Sequence, residues 1–194
     1  IAFVLCMAVM SVACGKQQVN SEVPKTEEVS EVVEVQEQET ATEVSDETAD
    51  PAKENIVGMN LLSNGDFSEG TENWGTYITK GGAGSFEVIE EIGVFNITST
   101  GTEDYSIQLY YDEFPLKVGG VYEFAFDISS DMPRVASARI QLNGGDYKGY
   151  VEGTFDITKN IQRISYQFTM EDTDPLPRLC FNLGTPKGMD YYKD

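Results

Sequence analysis

Arg139 and Gln141 alternate with Ala138, Ile140 and Leu142, so on an extended strand their hydrogen-bonding groups project from the face opposite the apolar one. Ser137 and Asn143 share that polar face. The same alternation sets Ser106, Gln108 and Tyr110 against Ile107 and Leu109, and Cys180 and Asn182 against Leu179 and Phe181. It also sets Tyr150, Glu152 and Thr154 against Val151 and Phe155. Amides, a guanidinium and phenols on one face suit a sugar, whose axial C–H groups pack on an aromatic plane while its hydroxyls need both donors and acceptors. A solvated sheet face is the alternative, although Lys, Glu and Thr usually dominate such a face.

Other chemistries are poorly served. The 194-residue chain has no histidine, which removes Ser-His-Asp and Cys-His nucleophilic sites and imidazole metal sites. Glycosyl hydrolysis needs two carboxylates across a cleft, one with a raised pKa. The adjacent pairs Glu90-Glu91, Glu103-Asp104, Asp112-Glu113 and Glu171-Asp172 read instead as solubilising charge at turns and strand ends. No catalytic constellation emerges. Acidic residues outnumber basic ones 33 to 13, for a net charge of −20, so the field repels nucleic acid and anionic headgroups. Cys6 and Cys14 precede anything that folds and Cys180 lies in an apolar run, so no internal disulfide framework is expected.

The elements that would position these residues are strands. Beyond Asn60 short apolar-alternating runs recur between turn residues, without helical periodicity. The clearest spans 121–129, with Tyr122, Phe124, Phe126 and Ile128 on one face. A second, 162–170, repeats the design with Ile164, Tyr166, Phe168 and Met170, and the two are expected to be neighbours on one sheet. Further strands are predicted at 74–79, 85–90, 93–99, 106–111, 137–143, 149–157 and 179–183. The fold class is all-β, an antiparallel β-sandwich of jelly-roll type.

Ahead of this module, Ile1 to Val12 are nearly all apolar, too short to span a bilayer as a helix, and run into Ser11-Val12-Ala13-Cys14-Gly15. That segment, 1–14, reads as a signal peptide, and its end resembles the bacterial lipobox, which implies acylation of Cys14 and attachment to the outer surface of the cell membrane. Residues 15–57, rich in Glu, Val and Thr and without an aromatic residue, read as a disordered acidic spacer. The module, 58–194, is expected to be a single domain and a monomer. The chain opens without an initiator Met and stops inside an aromatic run, so both ends read as cut, the last strand included.

Asn60-Leu61-Leu62-Ser63-Asn64-Gly65-Asp66-Phe67 followed by Trp74 resembles the opening of the CenC-type carbohydrate-binding modules, families 4, 9 and 22. Gly101-Thr102-Glu103-Asp104-Tyr105-Ser106-Ile107-Gln108-Leu109, Tyr122-Glu123-Phe124-Ala125-Phe126-Asp127 and Arg178-Leu179-Cys180-Phe181-Asn182-Leu183-Gly184 are similar to later family segments, in the same order. The resemblance implies a non-catalytic jelly roll that binds β-glucan, xylan or related chains. Under it Tyr105 matches the family's stacking aromatic and Gln108 its polar partner for sugar hydroxyls. Tyr110, Arg139, Gln141, Tyr150 and Asn182 lie on strands lining the family's cleft, and Tyr147 is a rim aromatic. The resemblance further implies a structural calcium, with Asp66 or Glu69 and Asp194 as ligands, and no other cofactor. Such modules are often joined to glycoside hydrolases, so a catalytic domain beyond Asp194 is one alternative. An adhesion or protein-interaction sandwich and a solute-capture lipoprotein are others.

Overall fold

The structure is a computed structural model that describes residues 2–12, 58–112 and 114–185. The spacer at 15–57, Cys14 and Asp194 lie outside the described residues.

Two five-stranded sheets face one another. The first has the order β3-β4-β1-β6-β9 and the second β2-β5-β10-β7-β8. Their strands are β1 (Ala2–Val12), β2 (Trp74–Ile78), β3 (Gly82–Ile89), β4 (Ile92–Thr100), β5 (Ile107–Tyr111), β6 (Val121–Ser130), β7 (Arg134–Gln141), β8 (Gly149–Ile157), β9 (Gln162–Thr169) and β10 (Arg178–Asn182). Every named pairing is antiparallel. As expected, β6 and β9 are neighbours, Val121 opposite Thr169 through Ile128 opposite Gln162.

Period two explains the core. Tyr122, Phe124, Phe126 and Ile128 from one sheet meet Ile107, Leu109, Ile140, Leu179 and Phe181 from the other, all at most 1% exposed. Phe126 and Phe181 close the gap edge to face, with centroids 4.9 Å apart.

Local chemistry moves three residues from the side that alternation gives them, Ser106 and Tyr150 from the outward side and Leu142 from the inward one. Ser106 belongs to a 3₁₀ turn, Asp104–Ser106, rather than to β5, and is buried, its Oγ accepting from Glu103 N at 2.9 Å. Leu142, which alternation turns inward, is 37% exposed because β7 ends at Gln141 and a hairpin begins. The register also shifts between Ile140 and Gln141, pairing Ile140 with Val151 but Gln141 with Gly149. Tyr150 is the residue left over. Such a bulge turns a side chain away from its alternating direction, and Tyr150 packs against the core.

The Asn64-Gly65-Asp66-Phe67 turn is built around a buried amide. Asn64 donates through Nδ2 to Gly70 O (3.0 Å) and Glu72 O (2.8 Å), and its Oδ1 accepts from Glu69 N (3.0 Å). Its own carbonyl takes the Trp74 indole N–H at 2.9 Å. Asn64→Ala would strand three backbone groups at once. A fully buried unsatisfied group costs about 1–3 kcal/mol, but these three bonds are only partly buried and water can reach the freed groups. A loss of about 2–4 kcal/mol is therefore expected in urea unfolding, and a change below about 0.5 kcal/mol would remove the amide from the list of structural determinants.

Candidate carbohydrate-binding cleft

The second sheet presents its outward side chains in rungs, because antiparallel register aligns every other residue across neighbouring strands. One rung runs Tyr77, Gln108, Asn182, Ser137 across β2, β5, β10 and β7. About 6.7 Å along, the next runs Gly75, Tyr110, Cys180, Arg139, Glu152. Arg178 and Gln141 pair on the following one. Side chains from these rungs and two loops line a cleft of about 430 Å³. The loops contribute Asp104 and Tyr105 from the 3₁₀ turn and Tyr147 from the β7–β8 hairpin.

The first rung is a relay of amides. Gln108 Nε2 donates to Asn182 Oδ1 at 2.8 Å, and Asn182 Nδ2 donates to Ser137 Oγ at 3.2 Å. These bonds hold both amides rigid in the lining of the cleft. Tyr77, Tyr105 and Tyr147 stand around this floor, 48%, 39% and 52% exposed. Solvated phenyl rings beside preset hydrogen-bonding groups are the two halves of sugar recognition.

Two loops aim the rim rings. Tyr105 N is held by Asp104 Oδ1 at 2.8 Å, while Asp104 O accepts from Gly184 N at 2.8 Å, tying the turn to the end of β10. A Cβ on Gly184 would run into the carbonyls of Glu103 and Asp104, so the close approach needs glycine there. Tyr147 adopts φ 53°, a left-handed conformation that costs a non-glycine residue about 1–2 kcal/mol. Its N–H bonds Gly144 O at 2.9 Å and its carbonyl accepts from Arg139 Nη2 at 3.0 Å.

The guanidinium groups differ. Arg178 makes a two-pronged pair with Asp112, 2.7 Å on each prong, and its charge lies 4.0 Å from the centre of the Tyr110 ring. The bonds to Asp112 strengthen its hold on its proton. Gly75 leaves room for the Tyr110 ring, which a Cβ there would strike. Arg139 is less committed: Nη1 lies 3.9 Å from Glu152, and Nε has no partner among the described residues.

Of the residues singled out from sequence, Tyr105, Gln108, Arg139, Gln141, Tyr147 and Asn182 are brought together in the cleft. Tyr110 lies on the same face but serves as the platform for Arg178. Tyr150 does not join them, because the bulge turns it aside and its hydroxyl donates to Asp174 Oδ2 at 2.8 Å. Tyr77, Asp104 and Arg178 were not singled out. Parity from the inward Trp74 points Tyr77 outward, and parity from Cys180 and Asn182 does the same for Arg178. Asp104 carried no such signal.

Asp66 Oδ1 accepts from Ser68 N (3.2 Å) and Ser68 Oγ (2.8 Å), which holds its pKa below the usual carboxylate value. Among the described residues no three His, Cys, Asp or Glu side chains gather where a metal could sit. Calcium takes six to eight oxygens, so Asp66 and Glu69 do not by themselves make the cage that the resemblance implies, and Asp194 lies outside the described residues.

Cys180 sits under the cleft floor, fully buried, and burial pushes its thiol from 9.0 up to about 12. Burial and the Asp174 carboxylate likewise raise Tyr150 from 10.0 to about 12. Both groups keep their protons longer when folded than when unfolded. The stability they contribute is therefore complete below about pH 9 and is lost as the pH climbs toward 12. Below pH 9 a thiol reagent is expected to spare Cys180 until the protein is unfolded, and rapid labelling of the folded form would contradict its burial.

A model of the carbohydrate binding domain family CBM_4_9 matches residues 59–188. No curated protein is matched. Among solved structures, one titled "CBM4 structure and function" superposes with a TM-score of 0.60 at 22% identity, covering 64% of this chain and 89% of that one. The N-terminal cellulose-binding domain of Cellulomonas fimi β-1,4-glucanase C is also similar, with a TM-score of 0.43 at 18% identity, over 62% of this chain and 85% of that domain. The first of these likenesses speaks to the fold, and the match to the family model, over most of the chain, assigns the lineage. This chain belongs to the CBM_4_9 family of carbohydrate binding domains.

Proposed function

We propose that the cleft binds a single neutral polysaccharide chain of the β-glucan or xylan class without cleaving it, and that an acylated Cys14 holds the module at the outer face of the cell membrane. The observation that carries the reading is the convergence of Tyr77, Tyr105 and Tyr147 on the amide relay of Gln108 and Asn182. Rings would take the sugar faces and the relay its hydroxyls. Neutrality follows from charge. Asp112 already balances Arg178, Glu152 stands near Arg139, and a net charge of −20 disfavours polyanions.

The lipid anchor rests on Ala13-Cys14-Gly15 at the end of the apolar leader. Affinity electrophoresis against mixed-linkage glucan, hydroxyethyl cellulose, xylan and polygalacturonate tests the ligand class. Retardation by at least one of the neutral polymers and none by polygalacturonate is expected. Free migration through all three neutral gels would sink the ligand class, and an N-terminus other than acylated Cys14 by mass spectrometry would sink the anchor.

A further inference from the structure

Arg139 uses its guanidinium in a way that contact with a sugar does not explain. Arg178, on the neighbouring strand, forks onto Asp112 through Nε and Nη2 at 2.7 Å on each prong. Among the described residues Arg139 makes no such fork. Its Nε is buried without a partner, and Nη1 lies 3.9 Å from Glu152, outside hydrogen-bond range. A ligand in the cleft does not reach Nε either, because that atom is shut off from solvent. The hydrogen bond that Arg139 does make runs from Nη2 to the carbonyl of Tyr147, at 3.0 Å.

That carbonyl belongs to a hairpin tip with few constraints of its own. Gly144, Gly145 and Tyr147 all have positive φ, at 130°, 59° and 53°. The glycines leave the backbone free to take other conformations, and the left-handed region is unfavourable for a tyrosine. Within the hairpin, Leu142 N bonds Lys148 O at 2.9 Å, Gly144 N bonds Leu142 O at 3.1 Å and Tyr147 N bonds Gly144 O at 2.9 Å. These use the Tyr147 N–H but not its carbonyl. The Lys148–Asp172 pair, 3.6 Å apart with both side chains more than half exposed, is screened by water and holds little. The bond from Arg139 therefore fixes the Tyr147 carbonyl to the sheet, and through that peptide the direction of the ring. Gly149 makes room for it, since a Cβ there would stand 3.2 Å from Nη2. Gly149 is the partner of Gln141 across the bulge, so the register shift brings a glycine beside the guanidinium.

We propose that Arg139 is a positioning residue: it serves binding by holding the Tyr147 ring at the rim of the cleft through the Tyr147 carbonyl, and does not itself touch the sugar. The proposal rests on the reading of the cleft as a polysaccharide site. It makes the losses from Arg139 and Tyr147 one loss rather than two, because residues that act through a single contact are not additive.

The test is a double-mutant cycle in the full chain, read by affinity electrophoresis in mixed-linkage glucan, hydroxyethyl cellulose and xylan. Arg139→Ala is expected to weaken retention about fivefold, and by less than about 1.5-fold when Tyr147→Ala is already present. Gly149→Val, which leaves Arg139 intact but fills the space of its guanidinium, should reproduce both results. Hydrogen exchange gives a readout that needs no ligand. The Tyr147 and Lys148 amides should exchange at least about fivefold faster in Arg139→Ala while those of the β7–β8 ladder stay as they are. The melting midpoint should stay within about 3 °C of the parent.

Equal losses from Arg139→Ala with and without the Tyr147 ring mean direct contact with the sugar and overturn the proposal, as does unchanged retention or unchanged exchange at the tip. A larger fall in melting midpoint assigns Arg139 to the scaffold and overturns it too. If the parent protein passes all three gels unretarded, the polysaccharide reading falls and this role in binding with it. Retention of the parent with additive losses sinks the role of Arg139 alone.

Discussion

Replacing Tyr105 by alanine is expected to weaken polysaccharide binding at least tenfold while leaving the fold intact. The ring is 39% exposed, and the turn that carries it is held by backbone and by neighbouring side chains rather than by the ring itself. Stability should therefore change by no more than about 0.5 kcal/mol. Burying one face of the ring against a sugar removes apolar area from water at about 25 cal/mol per Å², so about 60 Å² supplies about 1.5 kcal/mol, and about 1.4 kcal/mol is already a factor of ten. Calorimetric titration with a soluble β-glucan or xylan oligosaccharide checks the number. Unchanged affinity would remove Tyr105 from the site. Tyr147→Gly makes a useful companion, because it deletes a rim ring and relieves the left-handed backbone together. Affinity should fall while stability holds or rises by up to about 1 kcal/mol, so the two readouts separate binding from folding.

Trp74→Ala is expected to produce the largest loss of stability. The indole is 8% exposed and packs on Phe67, Tyr111 and Phe181 at centroid distances of 4.9, 5.2 and 6.4 Å. Its N–H satisfies the Asn64 carbonyl. Truncating a buried Trp costs about 3–5 kcal/mol through lost transfer energy and the cavity left behind. The orphaned carbonyl adds to this. A fall in melting midpoint of about 15 °C or more is expected by circular dichroism or calorimetry. Trp74→Phe keeps most of the apolar volume but loses the N–H, and should fall between the two. If the alanine variant lost less than about 1 kcal/mol, the indole would not be the joint between the opening turn and the core.

The two residues differ in how much the sequence says about them. Trp74 heads a strand whose parity can be counted, and the Asn64 turn ahead of it is a short-range motif, so both announce structural roles before any coordinates are seen. Tyr105 owes its place to long-range pairing. Its turn is pinned by Gly184, some eighty residues on, and nothing local to Glu103-Asp104-Tyr105 indicates that contact.

Alternation by itself determined the sandwich, the inward faces of β6 and β9, and the outward placement of Gln108, Arg139, Gln141 and Asn182, because side-chain direction in a strand depends only on parity. Parity fails where a residue is inserted or a strand ends. The bulge at Tyr150, the hairpin that exposes Leu142 and the turn that buries Ser106 were therefore decided by backbone hydrogen bonding in three dimensions. The rungs that join Tyr77 to Gln108 and Asn182 were also a tertiary matter, since sequence shows which way a side chain points but not which strand lies beside it. The apolar run at the start of the chain shows the same division: from sequence it reads as an export signal, and only the sheet places it between β4 and β6.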